Sequence, residues 1–368
     1  MKRSALIFTF LLVFSSMNLT QEIIENQEKP LSKNASRVIK LQEVFRIKDE
    51  SGNFYFKSIE SYGNLKVAPD GTFLISEENQ LLKFSPQGKF VKNLLRTGQG
   101  PGEMSSSRYP HDIYLTQNDI YLYDSSPRKI VHTDLDGNLI EEIKLEVEGA
   151  GPLYSFYGLS GDEFIFIHQE NVKFNMKSAE FYDLEMSIVL VSRDGMKMNK
   201  ILIFPTKTFG APGFGMEWAP FEAVIDPDSQ QLYVYHTCEY RIVQADLKEG
   251  RTVKSFYRRY PRVKHVMKAW EEERIKKFKA PKRKYENDIK GLFLHKGLLW
   301  VKTSTQDAKK GYLIDVFDRE GNYIDCFYLS IRGSLKAVGD DSIFAVEKDE
   351  DENLQIVKYK IIDGTQIP

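Results

Sequence analysis

The chain has 368 residues, a formal net charge of −1 and a charged fraction of 28%. A balance so close to neutral supplies no field that would draw the protein to nucleic acid or to an anionic membrane surface. Two cysteines, Cys238 and Cys326, are too few for a disulfide scaffold, and no Cys/His spacing points to a structural zinc.

The N-terminus opens with Lys2 and Arg3, followed by an uncharged apolar run over residues 5–14. That run has the length of a signal-peptide core and is too short to cross a bilayer; a buried N-terminal strand is the alternative. Residues 1–21 are therefore assigned to a signal peptide and residues 22–36 to a linker, which predicts a periplasmic or secreted protein. No Cys follows the run, which argues against a lipoprotein anchor, and no later segment reaches the length of a membrane span.

Residues 37–368 read as one repetitive unit. An apolar strand followed by a polar turn with glycine recurs six times, the turns ending at Gly88, Gly137, Gly195, Gly250, Gly321 and Gly364. Asp-Gly and Glu-Gly between alternating strands are hairpin turns, because Gly takes the positive φ and Asp tolerates it. β-rich runs precede the turns at 72–76, 119–123, 163–167, 231–235, 297–302 and 342–346. Each unit is a meander of four strands, the content of a propeller blade. A β-sandwich or a lipocalin-like barrel would also give short strands and glycine turns, but neither explains six equivalent units. The fold class predicted is all-β, a six-bladed β-propeller of four-stranded antiparallel blades. Its sixth unit lacks a strand, which residues 37–47 are expected to supply beside 354–362, closing the ring. The two cysteines fall at different places in the repeat and are expected unpaired.

Two insertions break the spacing. Residues 171–186 are polar and aromatic and predict an extended hairpin or a loop. Residues 257–284 are basic, and Val263, Met267, Trp270, Arg274 and Phe278 recur at helical spacing. A helix ended by Pro281 is predicted, packed over the ring by Trp270 and Phe278. Arg258, Arg259 and Lys264 are its candidate partner surface.

Between the first two units stands Arg96-Thr97-Gly98-Gln99-Gly100-Pro101-Gly102-Glu103-Met104. No Lys-Ser/Thr pair follows, so this is not a phosphate loop. The phrase over residues 98–103 resembles the loop that marks NHL-type propellers, and is similar above all to exported bacterial six-bladed β-propeller proteins. Asp124-Ser125-Ser126-Pro127-Arg128-Lys129-Ile130 and Leu299-Trp300-Val301 extend the resemblance, while His236-Thr237-Cys238-Glu239-Tyr240-Arg241-Ile242 departs from it. The resemblance spans about residues 38–364 and implies architecture rather than activity.

Ligands of such rings sit at the channel mouth, and the residues placed there by the repeat are Arg96, Gln99, Glu103, Asp124, Arg128, His168, His236, Glu239 and Arg241. Asp124 also fits a turn cap. No catalytic set emerges, since neither a nucleophile elbow nor a metal-ligand spacing is present. The function expected is a non-enzymatic binding module for a protein, peptide or glycan, monomeric and without cofactor. The alternative is a metal-assisted hydrolase or lyase using His168 and His236 at the central channel.

Overall fold

The computed structural model describes residues 22–48, 52–61, 64–107, 109–147, 152–169, 178–227 and 229–362. The signal-peptide assignment at residues 1–21 and the turn at Gly364 lie outside the described residues.

The second and third strands of each unit are buried on both faces. In Glu163–Gln169, Phe164 and Phe166 face blade two and pack with Tyr123 and Ile130. Ile165 and Ile167, on the opposite face, pack with Leu232 and Val234 of blade four. A blade wedged between two neighbours has no solvent face at its centre, so its middle strands read as continuous apolar runs rather than as alternation. Each large side chain so buried contributes about 1.5–3 kcal/mol. Outer strands such as Phe90–Asn93 are largely exposed.

Six sheets of four or five strands result, each antiparallel within its own repeat. Their first strands are Asn64–Val67, Asp112–Leu115, Leu153–Ser160, Glu222–Asp226, Ile289–His295 and Ser334–Val338, and all six line one central channel. Leu41–Lys48 pairs antiparallel with Leu354–Ile361, placing Ile47 opposite Ile356, and so completes blade six from the N-terminal side. Phe45 from this strand stacks on Phe73 of blade one (6.0 Å) and meets Phe344 edge-on (6.5 Å), so the closing strand also cements the joint beside it.

The N-terminal expectations need two corrections. Arg37–Ile39 does not belong to blade six; it runs parallel to the outer strand Tyr323–Leu329 of blade five. Residues 22–36 are not merely a linker, because Glu22–Asn26 lies parallel to Arg251–Arg258 on the outer edge of blade four. Both segments satisfy an otherwise open sheet edge. Asn26 ties the two blades together: its side-chain amide donates to Tyr257 O (3.2 Å) and Gly321 O (2.9 Å), and its carbonyl oxygen accepts from Tyr323 N–H (2.8 Å).

Residues 171–177 of the first insertion lie outside the described residues; the rest of it joins a long hairpin that packs against the second insertion. Glu180–Val191 and Met198–Ala211 form a hairpin much longer than the other blades need, extended by Phe214–Glu217. The expected helix is present but shorter, Ala269–Phe278. Residues 263–265 are extended instead, with Lys264 bridged to Tyr285 and His265 N–H donating to Lys284 O (3.1 Å). The helix starts where the Glu271 carboxylate accepts Lys268 N–H (2.8 Å), and Lys279 in the left-handed region ends it. Phe278 stacks on Phe214 (4.5 Å), whereas Trp270 stays half exposed rather than packing on the ring.

Candidate binding channel

The inner strands enclose about 630 Å³. Side chains on alternate positions of these strands point inward, and several carry charge. Asp112 accepts Phe156 N–H (2.9 Å) at Oδ2 and the Asn64 amide (3.5 Å) at Oδ1. Burial pushes its pKa up to about 6, against the opposing pull of the Phe156 N–H and Lys66. Glu222 accepts the Tyr235 hydroxyl. Burial raises its carboxyl too, opposed by Tyr235, the Leu292 N–H and, at longer range, Lys302 and Lys336.

Lys66 extends into the channel, where it meets solvent yet is walled by protein; that enclosure lowers its pKa, with Asp112 acting in the opposite sense. Lys336 donates to Glu60 O (3.0 Å), and burial lowers its pKa. Lys302, on the second strand of blade five, stands behind the lining with Nζ 4.0 Å from the Tyr312 ring centre. Burial, then repulsion from Lys336 and Lys290, brings its pKa down to about 8. Tyr157 completes the set, its hydroxyl held protonated by burial and by the nearby Glu222 and Asp112.

None of these six residues was singled out by sequence reasoning. For the five that line the channel, the signal available was an ionisable residue at an inward position of a first strand, visible only once the six repeats are aligned by register.

None of the residues predicted from the repeat is among those lining this cavity. Arg96 and Gln99 are exposed on the connector between blades one and two. Glu103 folds back to accept Gly100 N–H (2.8 Å), and a Cβ at Gly98 would fall 2.0 Å from its Oε2, so the glycine makes room for the loop's own carboxylate. Asp124 is fully buried, accepting both Ser105 N–H and Ser105 Oγ–H at 2.6 Å and Ser126 N–H at 3.0 Å. It therefore caps its own turn and pins the end of the connector. Arg128 is half buried at the start of the next strand, its carbonyl accepting Leu145 N–H (2.9 Å).

His168 is buried with neither ring nitrogen hydrogen-bonded among the described residues, and burial, then Lys200, lowers its pKa. His236 bonds Pro205 O through Nδ1 (2.9 Å), and burial lowers its pKa as well. The two histidines belong to separate blades, and among the described residues no group of three or more His, Cys, Asp or Glu side chains is placed to hold a metal ion. Glu239 and Arg241 are exposed, Glu239 lying 3.6 Å from Arg262.

The basic surface also needs correction. Arg259 is exposed and paired with Glu25 (3.1 Å), and Lys264 is exposed. Arg258 is no surface residue: it is buried against Asp315 (2.7 Å), because its side chain turns into the joint between blades four and five.

Residues 56–214 match the model of DUF5128, described as a 6-bladed beta-propeller. This chain is a six-bladed β-propeller. Among solved structures, the propeller is similar to a Bacteroides fragilis protein described as exported, with 12% identity, a TM-score of 0.51, and coverage of 93% of this chain and 100% of that one. It is also similar to a DUF4221 family member from Bacteroides vulgatus, at 11% identity and a TM-score of 0.50, covering 88% of this chain and 99% of that one. At such identities the likeness concerns the ring alone. No curated protein matches the propeller in sequence. The architecture implied by the loop at residues 98–103 thus holds. No helix among the described residues is long and apolar enough to cross a membrane.

Proposed function

We propose that this propeller is an exported binding module that holds a small polar ligand in its central channel. The observation that carries the reading is the channel of about 630 Å³ into which Lys66, Asp112, Glu222 and Lys336 converge. Ionisable groups withdrawn from bulk water are costly to keep unless a partner compensates them. A ligand with complementary polar groups supplies that compensation, and rigid first strands hold the groups in place before it arrives. Export is supported by the basic and apolar pattern at residues 2–14. A connector whose carboxylate and glycines are consumed by its own folding, as in residues 98–104, supports a scaffold role for that loop.

The test is release. The full chain is expressed in its native host, recovered under non-denaturing conditions, then denatured, and the liberated small molecules are identified by mass spectrometry. A polar molecule released in near-stoichiometric amount from the wild type, and lost from Lys66→Met and Glu222→Gln variants of unchanged circular dichroism, supports the reading. Release of nothing, together with no stabilisation by any small molecule in a thermal-shift panel, removes it.

A further inference from the structure

The charges in the channel are sorted by sign around the ring. Following the blades in order, the lining residues are Lys66 on blade one, Asp112 on two, Tyr157 on three, Glu222 on four and Lys336 on six, while blade five contributes Leu292, Phe293 and Leu294. The ring closes six onto one, since the first strands Ser334–Val338 and Asn64–Val67 are neighbours. Blades six and one therefore form one arc bearing two lysines, with Lys302 behind the lining of blade five. Blades two, three and four form the facing arc, bearing two carboxylates and a phenol.

Simple mutual neutralisation would bring cations and anions together. Here Lys66 and Lys302 make no direct ion pair among the described residues, although each feels the carboxylate nearest to it. Both carboxylates are satisfied by neutral donors instead, Asp112 by Phe156 N–H and the Asn64 amide and Glu222 by the Tyr235 hydroxyl. Lys302, behind the lining, adds positive charge to the same side and is repelled by Lys336 and Lys290. An enclosed channel lined with low-dielectric walls strengthens such a field relative to an open surface.

We infer that the channel takes a small zwitterion, its carboxylate directed to the lysines of blades six and one and its ammonium to Asp112 and Glu222. This deepens the binding-module reading and rests on it. A singly charged ligand is complementary to one arc only, and an uncharged polyol to neither. Tyr157, between the two carboxylates and held as a neutral hydroxyl, can accept from the ammonium or donate to a ligand oxygen.

The experiment uses the full chain and a series of ω-amino acids: glycine, β-alanine, 4-aminobutyrate, 5-aminovalerate and 6-aminohexanoate. Acetate through hexanoate, the matching alkylamines and glucose are the controls. Binding is read by isothermal titration and by thermal shift at pH 7. At least one amino acid is expected to bind tenfold or more tightly than the carboxylate and the amine of its own length, with an optimum chain length set by the distance between the arcs. Lys336→Met should abolish the advantage over the amine, and Asp112→Asn the advantage over the carboxylate. Because the two variants fail in opposite directions, a general loss of folding cannot imitate the result. Carboxylates or amines binding as well as the amino acids, tighter binding of glucose, or no binding by any amino acid would each overturn the inference. A singly charged or neutral molecule in the release experiment would overturn it while leaving the binding-module reading in place.

Discussion

Arg258 and Asp315 form a two-pronged ion pair out of reach of solvent, with Nε 2.7 Å from Oδ2 and Nη2 3.2 Å from Oδ1. Asp315 also accepts the hydroxyls of Tyr240 (2.7 Å) and Tyr323 (2.8 Å), and the guanidinium lies over the rings of Tyr240, Tyr260 and Tyr323 at 5.3, 4.8 and 5.1 Å. Pair and rings join blades four and five. Removing one partner of a buried pair leaves an uncompensated charge, which costs about 3–5 kcal/mol. Arg258→Met is therefore expected to lower the urea midpoint sharply at pH 7. The double variant Arg258→Met/Asp315→Leu should recover much of that loss, since neither charge then remains buried.

Asp124 holds Ser105 through two bonds of 2.6 Å, nineteen residues away. Glu77 does the same for Ser58 in blade one, through bonds of 2.7 Å to its N–H and hydroxyl. The second strand of a blade thus ends in an acid that fastens the incoming connector. Asp124→Ala should cost about 1–3 kcal/mol for the donors left unpaired. Faster hydrogen exchange should be confined largely to the Ser105 and Ser126 amides and the connector 98–104, which peptide-resolved mass spectrometry would register.

Asp112 gives a pH dependence of defined sign. Its folded-state pKa, raised to about 6, exceeds the ordinary carboxylate value. The native state then holds the proton more tightly than the unfolded chain does. The stability this contributes is full below about pH 4 and is lost as pH rises through about 6. Asp112→Asn keeps an oxygen for Phe156 N–H but cannot ionise. It should match the wild type at pH 4 and exceed it at pH 7.5, by at most roughly 3 kcal/mol for a shift of about two pKa units. Chemical denaturation at the two pH values measures the difference.

Two turn glycines should differ in their tolerance. Gly195 has φ +74°, and a Cβ there would lie 2.0 Å from the backbone oxygen of Lys144, which cannot move without shifting its strand. Gly88, at φ +80°, would meet the Phe45 ring at 2.8 Å, and a ring can rotate or slide. Both alanine variants pay the left-handed backbone cost of about 1 kcal/mol. Gly195→Ala should lose clearly more melting temperature than Gly88→Ala.

The middle strands were legible in the sequence because their environment is local in kind. The runs at 72–76, 119–123 and 163–167 are apolar on both faces, and glycine turns mark their ends, so Phe73–Glu77, Asp119–Ser125 and Glu163–Gln169 fell where the repeat put them. Closure by Leu41–Lys48 was legible for the same reason, as the strand missing from an otherwise regular count. Glu22–Asn26 was not, since it is held by backbone bonds to an open edge, and backbone bonds leave no pattern in side-chain polarity. Arg258 looked like one basic residue in a basic run; its partner Asp315 lies 57 residues on and in the next blade.

By itself, then, the sequence determined the repeat, its six copies and the rigid ring they make, because each depends on short-range alternation and turn chemistry. Tertiary structure alone decided which residues face the channel and how their charges are sorted. Lys66, Asp112, Tyr157, Glu222 and Lys336 are spread over most of the chain. They become neighbours only when six blades close around an axis, and the separation of lysines from carboxylates is a property of blade order around that axis, which no local window of sequence contains.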